Sequence, residues 1–207
     1  MEQYHIHESD LVLEGKTWSS GFFAKMPHPD GRPYGTFRAY TLLVDGNRLE
    51  FRNCVFENTS GPQAQAGQAP ALYLDGDGIR LTDCVLRGHQ DTLFLAPLPE
   101  KEIIPGGFLG PKQFAPRKNH TVYFKNCLIE GGIDFIFGGA TAYFDSCEFR
   151  SVEPGFVFAP STPKDVKEGF HDWDKPEARE TMEFVEIRSF GPGSCPEGRP
   201  DYVRVIR

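Results

Sequence analysis

The stretch Val122-Tyr123-Phe124-Lys125-Asn126-Cys127-Leu128-Ile129 alternates apolar and polar side chains, and this alternation shifts by one residue at Cys127. Alternation with a period of two is typical of a half-buried β-strand. A polar turn-forming residue just before the shift predicts a bend between two short strands. The same pattern, with Asn, Asp or Ser before Cys, recurs in residues 49–56, 79–86 and 142–149. The four segments therefore predict an internal structural repeat.

The repeat and the scarcity of helical patterns together predict the fold. In the 207-residue chain, 22 Gly and 17 Pro interrupt any helical periodicity. Short strands with a bend at a fixed position predict an all-β parallel β-helix, whose coils stack on one another. We expect one domain over residues 1–207, with a loop insertion near 96–120 and a C-terminal tail near 164–207. The repeat cysteines would form a ladder at one corner, where small thiols pack without any chemical role: Cys54, Cys84, Cys127 and Cys147.

The composition narrows the range of partners. A formal net charge of -7 argues against a nucleic acid or an anionic membrane, and leaves a weakly charged polymer possible. No run approaches the ~18 apolar residues of a membrane helix, and the 5 cysteines contain no C-x-x-C zinc or redox motif. The first residues show no signal-peptide pattern, so we expect a cytoplasmic protein, or a secreted one if a signal peptide has been removed. The oligomeric state stays open.

Two carboxylates occupy equivalent positions in the repeat. Asp91 lies seven residues after Cys84, and Asp134 lies seven residues after Cys127. If residues 96–120 form a loop, the two coils are adjacent and their backbones lie about 4.8 Å apart. Two carboxyl groups so close cannot both ionise freely, so we expect one pKa to rise and the other to fall. This arrangement predicts one acid and one base or nucleophile at neutral pH.

Two glutamines lie near these carboxylates in the predicted coils. Gln68 and Gln90 carry neutral amide groups that can donate hydrogen bonds. Preorganised amide donors that point at a developing oxyanion contribute about 2.7–4 kcal/mol in a dry site. The combination of two carboxylates and two amides favours acyl transfer.

The same residues carry a family resemblance. The stretches Gln90-Asp91-Thr92-Leu93 and Asp134-Phe135-Ile136-Phe137-Gly138 resemble two signature motifs of the pectin methylesterases (pectinesterases). A third motif of that family resembles Gln68-Ala69-Pro70-Ala71-Leu72. Residues 159–163 and the tail residues 171–181 are similar to bacterial members of the family.

The resemblance implies a right-handed parallel β-helix that hydrolyses galacturonate methyl esters in pectin or oligogalacturonides and releases methanol, without a metal or another cofactor. It implies that Asp134 is the nucleophile and forms an acyl-enzyme. Asp91 would act as the general acid and then as the base that activates water, and the two glutamines would stabilise the oxyanion. It implies that Phe137 lies against the substrate, and the substrate-binding residues that we expect are Phe137, Ile133, Phe94 and Trp173.

One family motif is missing from the sequence. The family has a Leu-Gly-Arg-Pro-Trp motif whose Arg orients the nucleophilic Asp and whose Trp contacts the sugar, and this chain has no counterpart. Arg179 is the best substitute by position, although a lone Arg is more often a surface ion-pair residue. Trp173 could replace the sugar platform or pack the tail. Without the Arg, Asp134 loses a charge partner that would lower its pKa.

Three alternatives stay open at this stage. The missing motif favours a non-catalytic β-helix that binds pectic sugars, or a degenerate pseudoenzyme. A different ester, such as an acetyl group, suits the same machinery. A glycosidase or lyase would also use paired carboxylates, which retaining glycosidases place about 5–5.5 Å apart.

Overall fold

A computed structural model of the chain describes residues 1–162, 184–187 and 203–206. Its helical elements are a 3₁₀ helix at Thr36–Arg38 and the α-helix α1 at Gln63–Ala66. In chain order the strands are β1 (Tyr4–Ile6), β2 (Val12–Glu14), β3 (Thr17–Ser20), β4 (Leu42–Val44), β5 (Glu50–Arg52), β6 (Val55–Asn58), β7 (Leu72–Leu74), β8 (Ile79–Thr82), β9 (Val85–Arg87), β10 (Leu93–Leu95), β11 (Thr121–Lys125), β12 (Leu128–Gly131), β13 (Ile136–Gly138), β14 (Thr141–Asp145), β15 (Glu148–Ser151), β16 (Phe158–Pro160), β17 (Phe184–Ile187) and β18 (Val203–Ile206).

Strands β1 to β16 belong to three parallel sheets, and consecutive strands join the sheets in a fixed repeating order. Sheet A contains β1, β4, β7, β10, β13 and β16 in that order; sheet B contains β2, β5, β8, β11 and β14; sheet C contains β3, β6, β9, β12 and β15. Each coil of the solenoid therefore contributes one short strand to each sheet and pairs with the coils before and after it. The predicted all-β parallel β-helix is confirmed.

The bend between sheets B and C, which we call the cysteine corner, has the predicted chemistry. The residue before each repeat cysteine has a left-handed backbone, with φ values of 52° at Asn53, 55° at Asp83, 53° at Asn126 and 55° at Ser146. Short polar side chains tolerate this conformation better than other non-glycine residues. The next residue points inward, so the thiols stack as free cysteines and the first three of them are buried. The predicted cysteine ladder is confirmed.

Sheet A is covered on its outer face as well as on its inner face. Along β4, β7 and β10 every residue is buried. The inner residues join the core of the solenoid, whereas Leu43, Tyr73 and Phe94 form a second apolar cluster outside it. Phe37 and Phe108 cover this outer cluster. These covering residues come from the connection between β3 and β4 and from the connection between β10 and β11.

The insertion over residues 96–120 contains no strand and lies between β10 and β11. Because β10 pairs directly with β13, and β9 with β12, the coils on either side of the insertion are adjacent. The segment therefore adds no coil to the solenoid.

The chain divides into two compact units, Met1–Phe170 and His171–Arg207. In the second unit, β17 and β18 pair in parallel. The single domain over residues 1–207 stays a prediction. In the described part of the chain, no helix has the length and apolar character needed to cross a membrane.

Candidate active site

The two predicted carboxylates lie on adjacent coils at the same position. Leu93 pairs with Ile136 in sheet A, so Asp91 and Asp134, each two residues earlier, are stacked just before β10 and β13. The backbone N–H of Asp91 donates to the carbonyl of Ile133 over 3.0 Å. Both residues are left-handed, with φ of 64° at Asp91 and 49° at Asp134. We call this bend between sheets C and A, over residues 88–92 and 131–135, the carboxylate corner.

Small residues make the close coil contacts of this corner possible. A Cβ atom on Gly131 would lie 2.2 Å from the Cβ atom of Phe135 and 2.7 Å from Oγ1 of Thr92. Because such distances are far inside van der Waals contact, only glycine fits there. The buried hydroxyl of Thr92 donates to the carbonyl of Glu130 over 3.1 Å and so connects the two coils directly. The glycine at position 131 is therefore explained by packing.

The environment separates the protonation states of the two carboxyl groups. Asp91 is 7% exposed, and burial raises its pKa well above the usual value, with the negative charge of Asp134 as a second cause. Asp134 is half-buried, and burial alone raises its pKa. Because a buried carboxyl favours its neutral form, Asp91 holds a proton at neutral pH more readily than Asp134 does. Asp91 is therefore suited to the role of acid, and Asp134 to that of nucleophile.

The prediction that one pKa rises and the other falls is wrong, because both rise. A fall would require a nearby cation or hydrogen-bond donors on the charged form. In the described residues, no guanidinium forms a salt bridge or hydrogen bond with Asp134, and burial is the only cause of its shift. The predicted substitutes for the missing motif, Arg179 and Trp173, lie outside the described residues.

The two glutamines are neighbours on adjacent coils. Gln68 and Gln90 form an isolated parallel bridge, and the N–H of Ala69 donates to the carbonyl of Gln90 over 3.1 Å. Both side chains are partly exposed. Among the described residues, neither side-chain amide has a hydrogen-bond partner, so both can donate to a bound oxyanion. Gln90 directly precedes Asp91 in the chain, and Gln68 occupies the position of Gln90 on the preceding coil.

The predicted apolar substrate contacts divide into two groups. Phe137 and Ile133 are partly exposed and flank Asp134 in the sequence. Phe94 is 0% exposed, with its ring centroid 4.7 Å from those of both Tyr73 and Phe137. A direct substrate contact by Phe94 does not fit this burial. We assign Phe94 to the support of the Phe137 ring, because the loop residue Phe37 covers it at 4.9 Å.

A cleft of about 480 Å³ opens next to Gln68. The connection from β3 to β4 forms one wall and the insertion between β10 and β11 forms the other, with Gln68 contributed by the connection from β6 to β7. Arg32 is the charged residue among those that line it. The described lining residues are Arg32, Pro33, Tyr34, Gly35, Thr36, Gln68, Ile104, Pro105, Gly106, Gly107 and Leu109.

Sequence reasoning missed both walls of this cleft. Arg38 shapes the first wall, because its guanidinium donates to the carbonyls of Tyr34 and Pro33 and to the carboxylate of Asp30. The only sequence signal was a Pro/Gly-rich composition, which indicates a loop without predicting where the loop lies. The imidazole of His89, beside Gln90, pairs with Glu153 over 3.1 Å and was also missed.

One set of side chains in the described residues could hold a metal ion. His5, His7 and Asp45 have ligand atoms that all lie within 4.8 Å of one another. They belong to the first coils of sheet A, away from the carboxylate corner.

Comparison with known proteins agrees with this geometry. Residues 9–97 match the pectinesterase family model. Over this part of the chain the sequence is similar to the pectinesterases. Pectinesterase 31 of Arabidopsis thaliana is 26% identical over 217 residues, which cover 83% of this chain and 61% of that protein. The matched region of the family model includes Gln68, Gln90 and Asp91.

Solved pectin methylesterases have the same fold. The enzyme from Yersinia enterocolitica is 27% identical, with a TM-score of 0.59 over 78% of this chain and 52% of its own. A pectin methylesterase in complex with hexasaccharide VII is 22% identical, with a TM-score of 0.61 over 100% of this chain and 54% of its own, a likeness that shows the fold. The chain therefore spans about half to three fifths of the pectinesterases compared.

Proposed function

We propose that this chain hydrolyses galacturonate methyl esters of pectin or oligogalacturonides and releases methanol. The observation that carries the proposal is the stacking of Asp91 and Asp134 on adjacent coils, with the pKa of Asp91 raised well above its usual value. The match of residues 9–97 to the pectinesterase family model supports the same reaction. The complex of a related pectin methylesterase with a hexasaccharide supports a pectic oligosaccharide as substrate.

In the first step, the ionised carboxylate of Asp134 attacks the ester carbonyl carbon. The amides of Gln68 and Gln90 donate to the oxyanion of the tetrahedral intermediate. Asp91 gives its proton to the departing methoxide, so methanol leaves and an acyl-enzyme anhydride forms between the substrate and Asp134.

In the second step, water attacks this anhydride. Asp91, now a carboxylate, takes a proton from the water, and the bond between the acyl group and Asp134 breaks. The galacturonate product leaves as a free acid group, and both aspartates return to their starting protonation states. Activity should therefore rise as Asp134 ionises and fall once Asp91 loses its proton in the free enzyme.

The cleft fits a chain of acidic sugars. Arg32 would attract free carboxylates of units that are already de-esterified, because it is the charged group among the described lining residues. Phe137 offers a partly exposed ring beside the nucleophile for contact with a sugar face. The cleft lies between two loops, and we propose that short oligogalacturonides are the preferred substrates.

The experiment is a measurement of methanol release from methylated pectin by the full chain. We expect release in the wild type and a loss of about 10³-fold or more in Asp134→Asn, because the amide is not a nucleophile. Asp83→Asn is the matched control, since Asp83 has the same left-handed backbone but lies exposed at the cysteine corner. Undiminished release in Asp134→Asn would refute the mechanism.

A second function is favoured by one specific observation. No guanidinium pairs with Asp134 among the described residues, which is consistent with a β-helix that binds pectic sugars without turnover. Calorimetry with oligogalacturonide separates the two functions. Binding without methanol release at high protein concentration would support the non-catalytic function, and new reducing ends would indicate a glycosidase instead.

A further inference from the structure

Two histidines at the start of the chain share one face of an edge strand. His5 lies in the middle of β1 and His7 directly follows it, so their side chains point to the same side, as positions i and i+2 of a strand do. Ile6 pairs with Val44 of the neighbouring strand β4. His7 directly follows Ile6 and Asp45 directly follows Val44, so His7 and Asp45 are also neighbours.

The three side chains converge on one point. Nε2 of His5 lies 3.1 Å from Oδ1 of Asp45, and Nδ1 of His7 lies 2.9 Å from the same oxygen. The two imidazole rings have centroids 3.4 Å apart. A tetrahedral metal ion with bonds of about 2.0–2.2 Å needs ligand atoms about 3.3–3.6 Å apart. The two distances to Oδ1 of Asp45 need to open by only a fraction of an ångström, and the three ligand atoms all lie within 4.8 Å of one another.

The surrounding charges favour a cation. Oδ2 of Asp45 lies 3.0 Å from Nζ of Lys112, which also lies 3.0 Å from a carboxylate oxygen of Asp75. Two carboxylates and one ammonium leave a net negative charge when the imidazoles are neutral. Because Lys112 contacts Oδ2 of Asp45, Oδ1 stays directed at the two histidines.

We propose that His5, His7 and Asp45 form a binding site for a divalent transition-metal ion of the zinc, nickel or cobalt type. Two imidazoles and one carboxylate suit these ions, whereas Mg²⁺ and Ca²⁺ prefer oxygen ligands alone. The side chain of His7 is 65% exposed, so solvent reaches the site and water completes the coordination. The ion would lie between Oδ1 of Asp45 and the two imidazoles, each of which binds it through an unprotonated ring nitrogen.

This site is separate from the proposed ester hydrolysis. Strands β4 and β7 lie between β1 and β10, so the two strands are about 14 Å apart. The site instead reaches the insertion that forms one wall of the cleft, through the contact between Asp45 and Lys112. The proposal does not depend on the esterase activity.

The test is calorimetric titration of the chelator-treated full chain with Zn²⁺, together with thermal unfolding. We expect one ion per chain and a higher Tm in the presence of Zn²⁺. His7→Ala and the double variant His5→Ala/His7→Ala should weaken binding at least tenfold. His28→Ala is the matched control, because His28 lies 2.9 Å from Asp30 without a second imidazole, and it should bind as the wild type does.

Two further measurements make the test decisive. Lys112→Met should tighten Zn²⁺ binding several-fold, because it removes a positive charge next to Asp45. Mg²⁺ should give no comparable signal. No Zn²⁺ binding up to 1 mM, or binding that is unchanged in the double histidine variant, would overturn the proposal; the latter would assign the ion to other groups such as the cysteine thiols.

Discussion

The cysteine corner and the carboxylate corner share a left-handed backbone conformation, but they place an aspartate in opposite environments. Asp83 and Asp91 both have a left-handed conformation at the start of a strand, with φ values of 55° and 64°. Asp83 is exposed, and its Oδ1 accepts a hydrogen bond from the side chain of Asn126 on the next coil over 3.2 Å. Asp91 is 7% exposed and faces the charge of Asp134 on the next coil.

The comparison identifies burial, and not stacking, as the main cause of the raised pKa values at the carboxylate corner. Coils at both corners stack polar side chains in register, at about the spacing of neighbouring strands. At the exposed corner, water screens the charges and the side chains only complete a turn. At the carboxylate corner, desolvation raises both pKa values and leaves Asp91 protonated in preference to Asp134. Four tests follow from this contrast.

The largest effect is expected from exchanging acid and amide at the two corners. Asp91→Asn should lower kcat for methanol release by about 10²–10⁴-fold, because the amide cannot protonate the leaving methoxide. Asn126→Asp makes the reciprocal exchange at the exposed corner and should leave kcat unchanged. Wild-type kcat in Asp91→Asn would show that the buried pair is not the acid and base of the reaction.

The next effect concerns the amides beside the buried pair. Gln90→Ala should lower kcat by about 10²–10³-fold, with a smaller change in KM, because an oxyanion donor acts mainly in the transition state. Gln65→Ala removes an exposed glutamine of α1 and serves as the control. A pure KM effect in Gln90→Ala would assign this amide to substrate binding.

A third test concerns the cysteine corner, where a substitution should change the free energy of unfolding but not kcat. The thiol of Cys84 is 1% exposed and contacts the carbonyl of Phe51 on the preceding coil over 3.4 Å. Cys84→Ala leaves a small cavity, and we expect it to reduce the free energy of unfolding by about 1–2 kcal/mol. Thermal unfolding should show this loss, while kcat per folded molecule stays at the wild-type value. A large fall in kcat would mean that the two corners are coupled.

The smallest effect is a pH-dependent change in Tm. Because the folded pKa of Asp91 is raised, the folded state keeps a proton that the unfolded chain releases above about pH 4. Relative to Asp91→Asn, the wild type should therefore lose stability as the pH rises, because the other carboxyl groups act equally in both proteins. The two proteins should have similar Tm values at pH 3.5, and the variant should become more stable at pH 7, by about 2–4 °C per kcal/mol.

The exposed corner provides the control for this measurement. Asp83→Asn should give a Tm difference from the wild type that changes little between pH 3.5 and pH 7. If the Tm difference between Asp91→Asn and the wild type also stays the same from pH 3.5 to pH 7, Asp91 ionises normally in the folded protein.

Much of the fold could be predicted from local patterns. The period of two predicted the strands, and the polar residue before each cysteine predicted the bend. The equal offset of Asp91 and Asp134 predicted their stacking, since coils in register repeat every position. The histidines at positions 5 and 7 also carried a signal, because alternate residues of a strand share one face, but the distant Asp45 completes that cluster.

The assignments that depended on distant residues could not be made from such patterns. Phe94 follows Asp91 closely and was expected to contact substrate, yet Phe37 covers it. Likewise, no local pattern indicates that residues 32–36 and 104–109 face each other across a cleft.

The sequence by itself determined the repeat, the left-handed bends and the register that stacks the two aspartates, because each depends on residues close in the chain. Only the tertiary structure decided that Asp91 is buried while Asp83 is exposed, that both pKa values at the carboxylate corner rise, and that the loops form a cleft beside Gln68. The physical reason is that desolvation depends on every atom packed around a group, and most of these atoms come from other coils and connections.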